Sequence, residues 1–222
     1  MGRKPRSRSG STISGPASAV GYCPGAMPVP GPLGVRKIIA RRACLELVPG
    51  CAAQLGAGLP GDLSRVLREE GTADLFTLAP GGPAGIRFLG FGPDRGDGGK
   101  VVFMGPFATG GLRIAVEDNR VRILREGTIP ALHRGLEGLA GTGGDWPVLV
   151  ITERCVFRRA GNRLELVEIA PGVDLDRDIL DRLDFAPALA RDLGLMPLAI
   201  FRPEPMGLRE RLLPAGLSQA PV

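Results

Sequence analysis

The chain is poor in the residues on which most metal, catalytic and nucleic-acid sites depend. Its 222 residues hold one histidine, one tryptophan and one tyrosine, and aromatics make up only 5%. A single histidine leaves no imidazole set for a metal. That residue, His133, lies in Ala131-Leu132-His133-Arg134 with no acid in helical register, so it reads as a surface histidine. Nucleic-acid grooves stack bases on aromatics and spread basic side chains along a fold. Here the formal excess of +5 is gathered largely in Arg3, Lys4, Arg6 and Arg8. No apolar run approaches the roughly 18 residues needed to cross a bilayer. The four cysteines, Cys23, Cys44, Cys51 and Cys155, form no Cys-x-x-Cys pair. Cys44, Cys51 and Cys155 have apolar neighbours and read as small core residues in a reducing cytoplasm. The basic start runs into Ser, Gly and Pro rather than an apolar segment, unlike a signal peptide. The expectation is a cytoplasmic protein with no nucleic-acid or membrane partner, no metal and no permanently bound cofactor.

What is present is an α/β pattern, with hydrophobic residues at 44%. Residues 1–32 read as a disordered basic leader rich in Pro, Gly and Ser, 33–210 as one domain, and 211–222 as a tail. Val35, Ile38, Ile39, Ala43 and Leu47 trace one apolar helix face, with Arg36, Lys37, Arg41, Arg42 and Glu46 on the other. Pro49-Gly50 ends that helix. A buried strand at 51–55 then runs into the Gly-rich turn Gly56-Ala57-Gly58, and Asp62 or Ser64 caps a helix to Glu70. Strands are predicted at 74–78, 86–91, 100–104, 112–116, 120–125 and 147–152. The turn Glu117-Asp118-Asn119 joins two of them as a hairpin. A second hairpin pairs 156–159 with 164–169, and Asp174 and Asp176 open a helix to about Leu183. The proline-rich last thirty residues read as a surface wrap. Between Ala79 and Gly99 the chain is unusually rich in glycine and proline, which marks a functional loop or disorder.

Several blocks, in order, resemble the C-terminal (β-type) half of the family I CoA-transferases, the acetate or 3-ketoacid CoA-transferases. Val35–Arg42 with Leu45–Gly50 is similar to the family's first helix, and Leu55-Gly56-Ala57-Gly58-Leu59-Pro60 to its first Gly-rich turn. Lys100-Val101-Val102-Phe103 with Phe107-Ala108-Thr109-Gly110-Gly111-Leu112 is similar to a later strand and loop. Val150 to Phe185 is the closest match, and Pro205-Met206-Gly207-Leu208-Arg209 fits the tail of the longer members. The resemblance covers about residues 33–210. It implies an open, mostly parallel sheet with flanking helices and an antiparallel hairpin region toward the C-terminus.

The resemblance also implies a reaction in which a glutamate attacks an acyl-CoA thioester to give a mixed anhydride, and CoA returns to form a glutamyl thioester. Coenzyme A would be a substrate, in short-chain fatty acid or ketone-body metabolism. An α-type half and a second copy of the chain would be partners. The family carries that glutamate in a Glu-(Pro/Ser)-Gly-Pro segment, which matches Thr77–Gly85 here and puts Ala79 in its place. A further departure is the stretch before Lys100, where Ile86 to Gly99 replaces several tens of residues. Gly56, Gly58, Gly81, Gly82, Gly110 and Gly111 are the positions where backbone could approach CoA, although each also reads as a tight turn. Gly56-x-Gly58 does not complete a dinucleotide fingerprint, because Pro60 precedes Gly61. Glu69, Glu70, Glu117 and Asp118 read as helix-end or turn residues rather than substitute nucleophiles. Two other readings stand beside the transferase half: a non-enzymatic remnant or assembly subunit, and a basic-tailed binding module.

Overall fold

The computed structural model describes residues 32–56, 58–80, 86–89, 99–132 and 146–213. The basic leader, Cys23, Gly81, Gly82, His133 and residues 214–222 lie outside the described residues. The first helix, α1 (Val35–Cys44), buries Ile38, Ile39 and Ala43 as its periodicity predicts. Its polar face is only partly solvated: Arg36 is exposed, but Arg41 and Arg42 are buried. The reason is that the Arg42 guanidinium and the two Nη groups of Arg41 find acceptors, although Arg41 Nε is buried with no partner among the described residues. Arg42 takes both oxygens of Glu168 and one of Glu46, while Arg41 donates to the carbonyls of Ile200, Arg202 and Glu204.

After α1 come β1 (Ala52–Leu55), α2 (Pro60–Glu69), a 3-10 turn over Ala73–Leu75 and β2 (Thr77–Pro80). Neither Asp62 nor Ser64 caps α2. The helix starts at Pro60, whose fixed φ suits a first helical position, and Asp62 falls in the first turn, where it pairs with Arg36 at 2.7 Å. The expected strand over 74–78 is delayed by the 3-10 turn and opens only at Thr77.

Next follow β3 (Ile86–Leu89), β4 (Lys100–Met104), the two-residue β5 (Ala108–Thr109), β6 (Arg113–Glu117), β7 (Arg120–Arg125) and β8 (Ile129–Pro130). Asp118 and Asn119, both at positive φ, make the β6–β7 turn as predicted. The chain continues through β9 (Val148–Ile151), β10 (Cys155–Ala160), β11 (Arg163–Ile169), the one-turn α3 (Leu175–Asp178), β12 (Ala188–Leu195) and α4 (Leu208–Leu212).

The main sheet has eight strands in the order β12-β11-β10-β9-β4-β3-β1-β2. The expectation of mostly parallel pairing is corrected here. Only β1–β2, β4–β9 and β11–β12 pair in parallel, and the other four neighbouring pairs are antiparallel. Yet six strands still point one way, because each reversed strand, β3 or β10, sits between two like-directed ones. The predicted hairpin toward the C-terminus is β10–β11, turning at Gly161-Asn162.

Two C-terminal expectations also change. The helix from Asp174 stops at Asp178, because the Asp178 carbonyl accepts from Arg154 and the chain leaves helical geometry at Ile179. Asp174 does cap it, accepting from the Arg177 N–H. The proline-rich end is no surface wrap: β12 adds an edge to the sheet, and Met196, Ile200, Phe201 and Leu208 are buried. Apolar residues between the prolines fill the space against α1, and the Arg41 guanidinium satisfies the carbonyls that this segment leaves without partners in a ladder.

Candidate active site

Because six strands share one direction, their C-terminal ends gather on one rim of the sheet. In open α/β sheets that is the rim on which ligands bind. The turns that leave it carry the glycines singled out from the sequence. Gly56 and Gly58 follow β1, and Gly110 and Gly111 follow β4 through the short β5. Ala79 lies on β2, the edge strand, in register with Gln54 of β1 and exposed. The sheet therefore brings Ala79 beside the start of the Gly56–Gly58 turn. The Gly110–Gly111 turn belongs to a separate part of the rim, beyond β3.

Glu69, Glu70 and Glu117, acids that the sequence offered as substitutes for the glutamate, are engaged elsewhere. Glu69 and Glu70 are buried, not exposed as a helix end should be, because residues 205–212 pack over the end of α2. Glu69 pairs with Lys37 at 2.6 Å. Both Glu70 oxygens accept backbone N–H groups, from Met206 at 2.8 Å and Leu208 at 3.2 Å. Asp74 is taken by Arg209, which also donates to the Gly71 carbonyl. Glu117 stays on its turn and pairs with Arg122 at 3.3 Å.

The Gly110–Gly111 turn is tightly built. Both glycines have positive φ, 76° and 100°. A β-carbon on Gly110 would meet the Thr128 Oγ1 at 2.3 Å, and one on Gly111 would meet the Arg125 guanidinium at 3.3 Å. Conformation favours glycine at both positions, and at Gly110 the space is closed as well.

Beside it lies an arrangement that sequence reasoning missed. Glu153 and Arg154 leave the C-terminal end of β9, and their side chains are fully buried. One Glu153 oxygen accepts from the Phe107 N–H at 2.8 Å and the other from Arg154 Nε at 2.8 Å. Arg154 then gives Nη1 and Nη2 to the two oxygens of Glu126 and Nη1 to the Asp178 carbonyl. Its guanidinium also stacks 4.4 Å from the Phe107 ring centroid. Burial alone would depress the Arg154 pKa, but the carboxylates of Glu126 and Glu153 outweigh it and raise the value. The network pins the loop after β4, the β7–β8 connection and α3 to one point. Its signal in the sequence is a charged Glu-Arg pair enclosed by the apolar runs 148–151 and 155–157, where a charge survives only if paired.

A cavity of about 240 Å³ opens against this network, walled by Phe107, Glu126, Thr128, Pro130, Arg182 and Asp184 among others. Among the described residues, no group of three or more His, Cys, Asp or Glu could hold a metal. Burial pushes the thiols of Cys44 and Cys155 up, which leaves both inert as nucleophiles. No described helix is long and apolar enough to cross a membrane.

No family model matches the chain. Curated relatives do. An acetate CoA-transferase of Escherichia coli strain K12, YdiF, is 30% identical over 240 aligned positions that include 79% of this chain and 45% of the relative. The caffeate CoA-transferase of Acetobacterium woodii is 28% identical, over 77% of this chain and 45% of its own length. Among solved structures, the acyl-CoA transferase YdiF of E. coli O157:H7, as a thioester complex with CoA, matches with a TM-score of 0.62 and 27% identity. That match covers 79% of this chain and 46% of the other. The 240 positions aligned with the K12 protein outnumber the 222 residues of this chain, of which 79%, about 175, are used. About 65 positions of that relative thus face gaps inside the match. The chain spans less than half the length of the relatives that it matches, and it belongs to the CoA-transferase family.

Proposed function

We propose that this chain is a β-type half of a CoA-transferase that cannot complete the reaction alone. The observation that carries this reading is Ala79, an exposed edge-strand residue where the resemblance calls for the nucleophilic glutamate. In the reaction, a carboxylate oxygen attacks the thioester carbonyl and CoA leaves as thiolate, giving an acyl-glutamyl anhydride. The thiolate then attacks the glutamyl carbonyl, releasing the acyl group as a carboxylate and leaving a glutamyl-CoA thioester. The alanine methyl offers no lone pair for the first step. The acids that precede it in the chain are engaged, Glu69 by Lys37, Glu70 by two backbone amides and Asp74 by Arg209. The internal gap supports the same reading if it falls at 86–99, where the family carries its middle strands and CoA loops.

What remains is a scaffold suited to assembly. Acyl-CoA and a carboxylic acid would be the substrates of the assembled enzyme, and an α-type half with a second copy of this chain its partners. A specific observation favours a purely structural subunit as the second reading: Leu189, Leu195 and Leu198 are exposed by 49%, 63% and 50% at the β12 edge, a surface that a partner could cover.

The test is chemical trapping. The purified chain, incubated with acetyl-CoA and treated with borohydride or hydroxylamine, is expected to show no modified acidic residue by intact-mass and peptide analysis. A covalent CoA or acyl adduct on any of its carboxylates overturns the proposal. Turnover on adding an α-type half would overturn it equally, because the missing nucleophile belongs to this β-type half.

A further inference from the structure

The β6–β7 hairpin stands apart from the main sheet and has two unlike faces. Ile114 pairs with Ile123 and Val116 with Val121, and this apolar face packs on the core. The other face pairs Arg113 with Arg125, Ala115 with Arg122 and Glu117 with Arg120. All four of its arginines are exposed. Like charges directly opposite on neighbouring strands destabilise a hairpin, and Arg113 opposite Arg125 is such a pair.

The fold does little to neutralise them. Arg122 reaches Glu117, at 3.3 Å between two exposed side chains. Arg113, Arg120 and Arg125 have no carboxylate partner among the described residues. Glu126, the carboxylate next to Arg125 in the chain, is turned inward, and both its oxygens are spent on Arg154. The buried network therefore withdraws the counter-charge that the hairpin would otherwise use. Arg125 in turn lies over Gly111, whose lack of a side chain leaves the backbone open beside the guanidinium.

We infer that this face, Arg113, Arg120, Arg122 and Arg125 with the Gly110–Gly111 turn, binds the phosphate groups of a small oligophosphate ligand. At about 3.3 Å per residue, Arg113 to Glu117 spans about 13 Å, and the two strands lie about 5 Å apart. Two staggered rows of guanidinium forks on that footprint match two or three tetrahedral anions in a row, since each fork can hold a phosphate through two hydrogen bonds. A single carboxylate would leave most of the array unused. The inference does not depend on whether the chain forms a glutamyl thioester.

The test uses the full chain and tripolyphosphate as probe, followed by calorimetry and by thermal shift. Binding is expected to raise the melting temperature and to weaken as salt is raised. The double variants Arg113→Ser/Arg125→Ser and Arg120→Ser/Arg122→Ser are each expected to lose affinity on the order of tenfold. The first is also expected to melt no lower than the parent without phosphate, because it removes a like-charge pair. Arg163→Ser/Arg191→Ser removes two exposed arginines elsewhere and should leave binding unchanged. Equal loss in that control, or no loss in the hairpin variants, overturns the inference. So does retention of single-stranded DNA under conditions where tripolyphosphate does not bind. Displacement by coenzyme A but not by ATP identifies a CoA source for the phosphates, and equal displacement identifies recognition of any phosphate run. A chain that binds tripolyphosphate and also forms a covalent adduct on a carboxylate upholds this inference while the proposed function fails.

Discussion

The two parts of the sheet rim differ in what they hold. Around β4 and β9, four charged or polar groups converge in a nearly dry space, with Glu153 and Arg154 fully buried and every strong donor met. Around β1 and β2, the position that matches the family's nucleophile is a methyl on an exposed four-residue edge strand. Buried charge is costly to keep, so the first region marks where the structure is still constrained. On the proposed reading, the second is a place where a scaffold loses a reactive group at an exposed strand with little structural consequence. Scaffold and chemistry are separable because they rest on different kinds of residue.

Removing one member of the buried network is the sharpest way to break that contrast. Arg154→Met leaves Glu153 buried without its cation and is expected to cost about 3–5 kcal/mol in urea unfolding, a large share of the total of about 5–15 kcal/mol usual for a folded domain. A loss under 1 kcal/mol would show that the network is not the anchor described here. Next in size is Glu70→Ala, which strands the Met206 and Leu208 amides, with an expected loss of about 2–4 kcal/mol. Limited proteolysis should then cut the C-terminal segment first, and unchanged cleavage there would contradict its role as a clasp.

Glu46 gives a smaller, pH-dependent effect. Burial pushes its carboxyl up, but Arg42 and Lys100 outweigh burial and hold it below the usual glutamate range. Its folded-state pKa is thus lower than its unfolded one, so its contribution is full above about pH 4.3 and fades as the pH falls through the folded value. Glu46→Gln should flatten the acid limb of stability against pH; an unaltered limb would remove Glu46 from the account. The smallest effect belongs to the other region. Ala79→Glu should change stability by less than about 0.5 kcal/mol, because the side chain points into solvent. A large loss would mean that the alanine is required for packing and is not a vacated reactive position.

Much of the architecture was legible in local patterns. The apolar stripe of α1, the Asp118-Asn119 turn, the β10–β11 hairpin and the strand at Lys100–Met104 are each carried by side-chain periodicity or turn chemistry over a few residues. Gly110 and Gly111 were legible as a turn, though not what crowds them. Less legible were groups whose meaning depends on distant partners. Arg41, Arg42, Glu69 and Glu70 look like solvated helix residues until the C-terminal segment and β11 arrive to cover them.

The sequence by itself determined the family, the elements with strong short-range patterns and the alanine at position 79, since each is a matter of residue identity and spacing along the chain. Only the tertiary structure decided the pairing of strands, the burial of the Glu153–Arg154–Glu126 network and the unneutralised arginine face. Those depend on which charges meet across 28 to 135 residues of separation. Burying a charge costs several kcal/mol unless its partners arrive, and no local window of sequence contains Glu126 for Arg154 or Glu168 for Arg42.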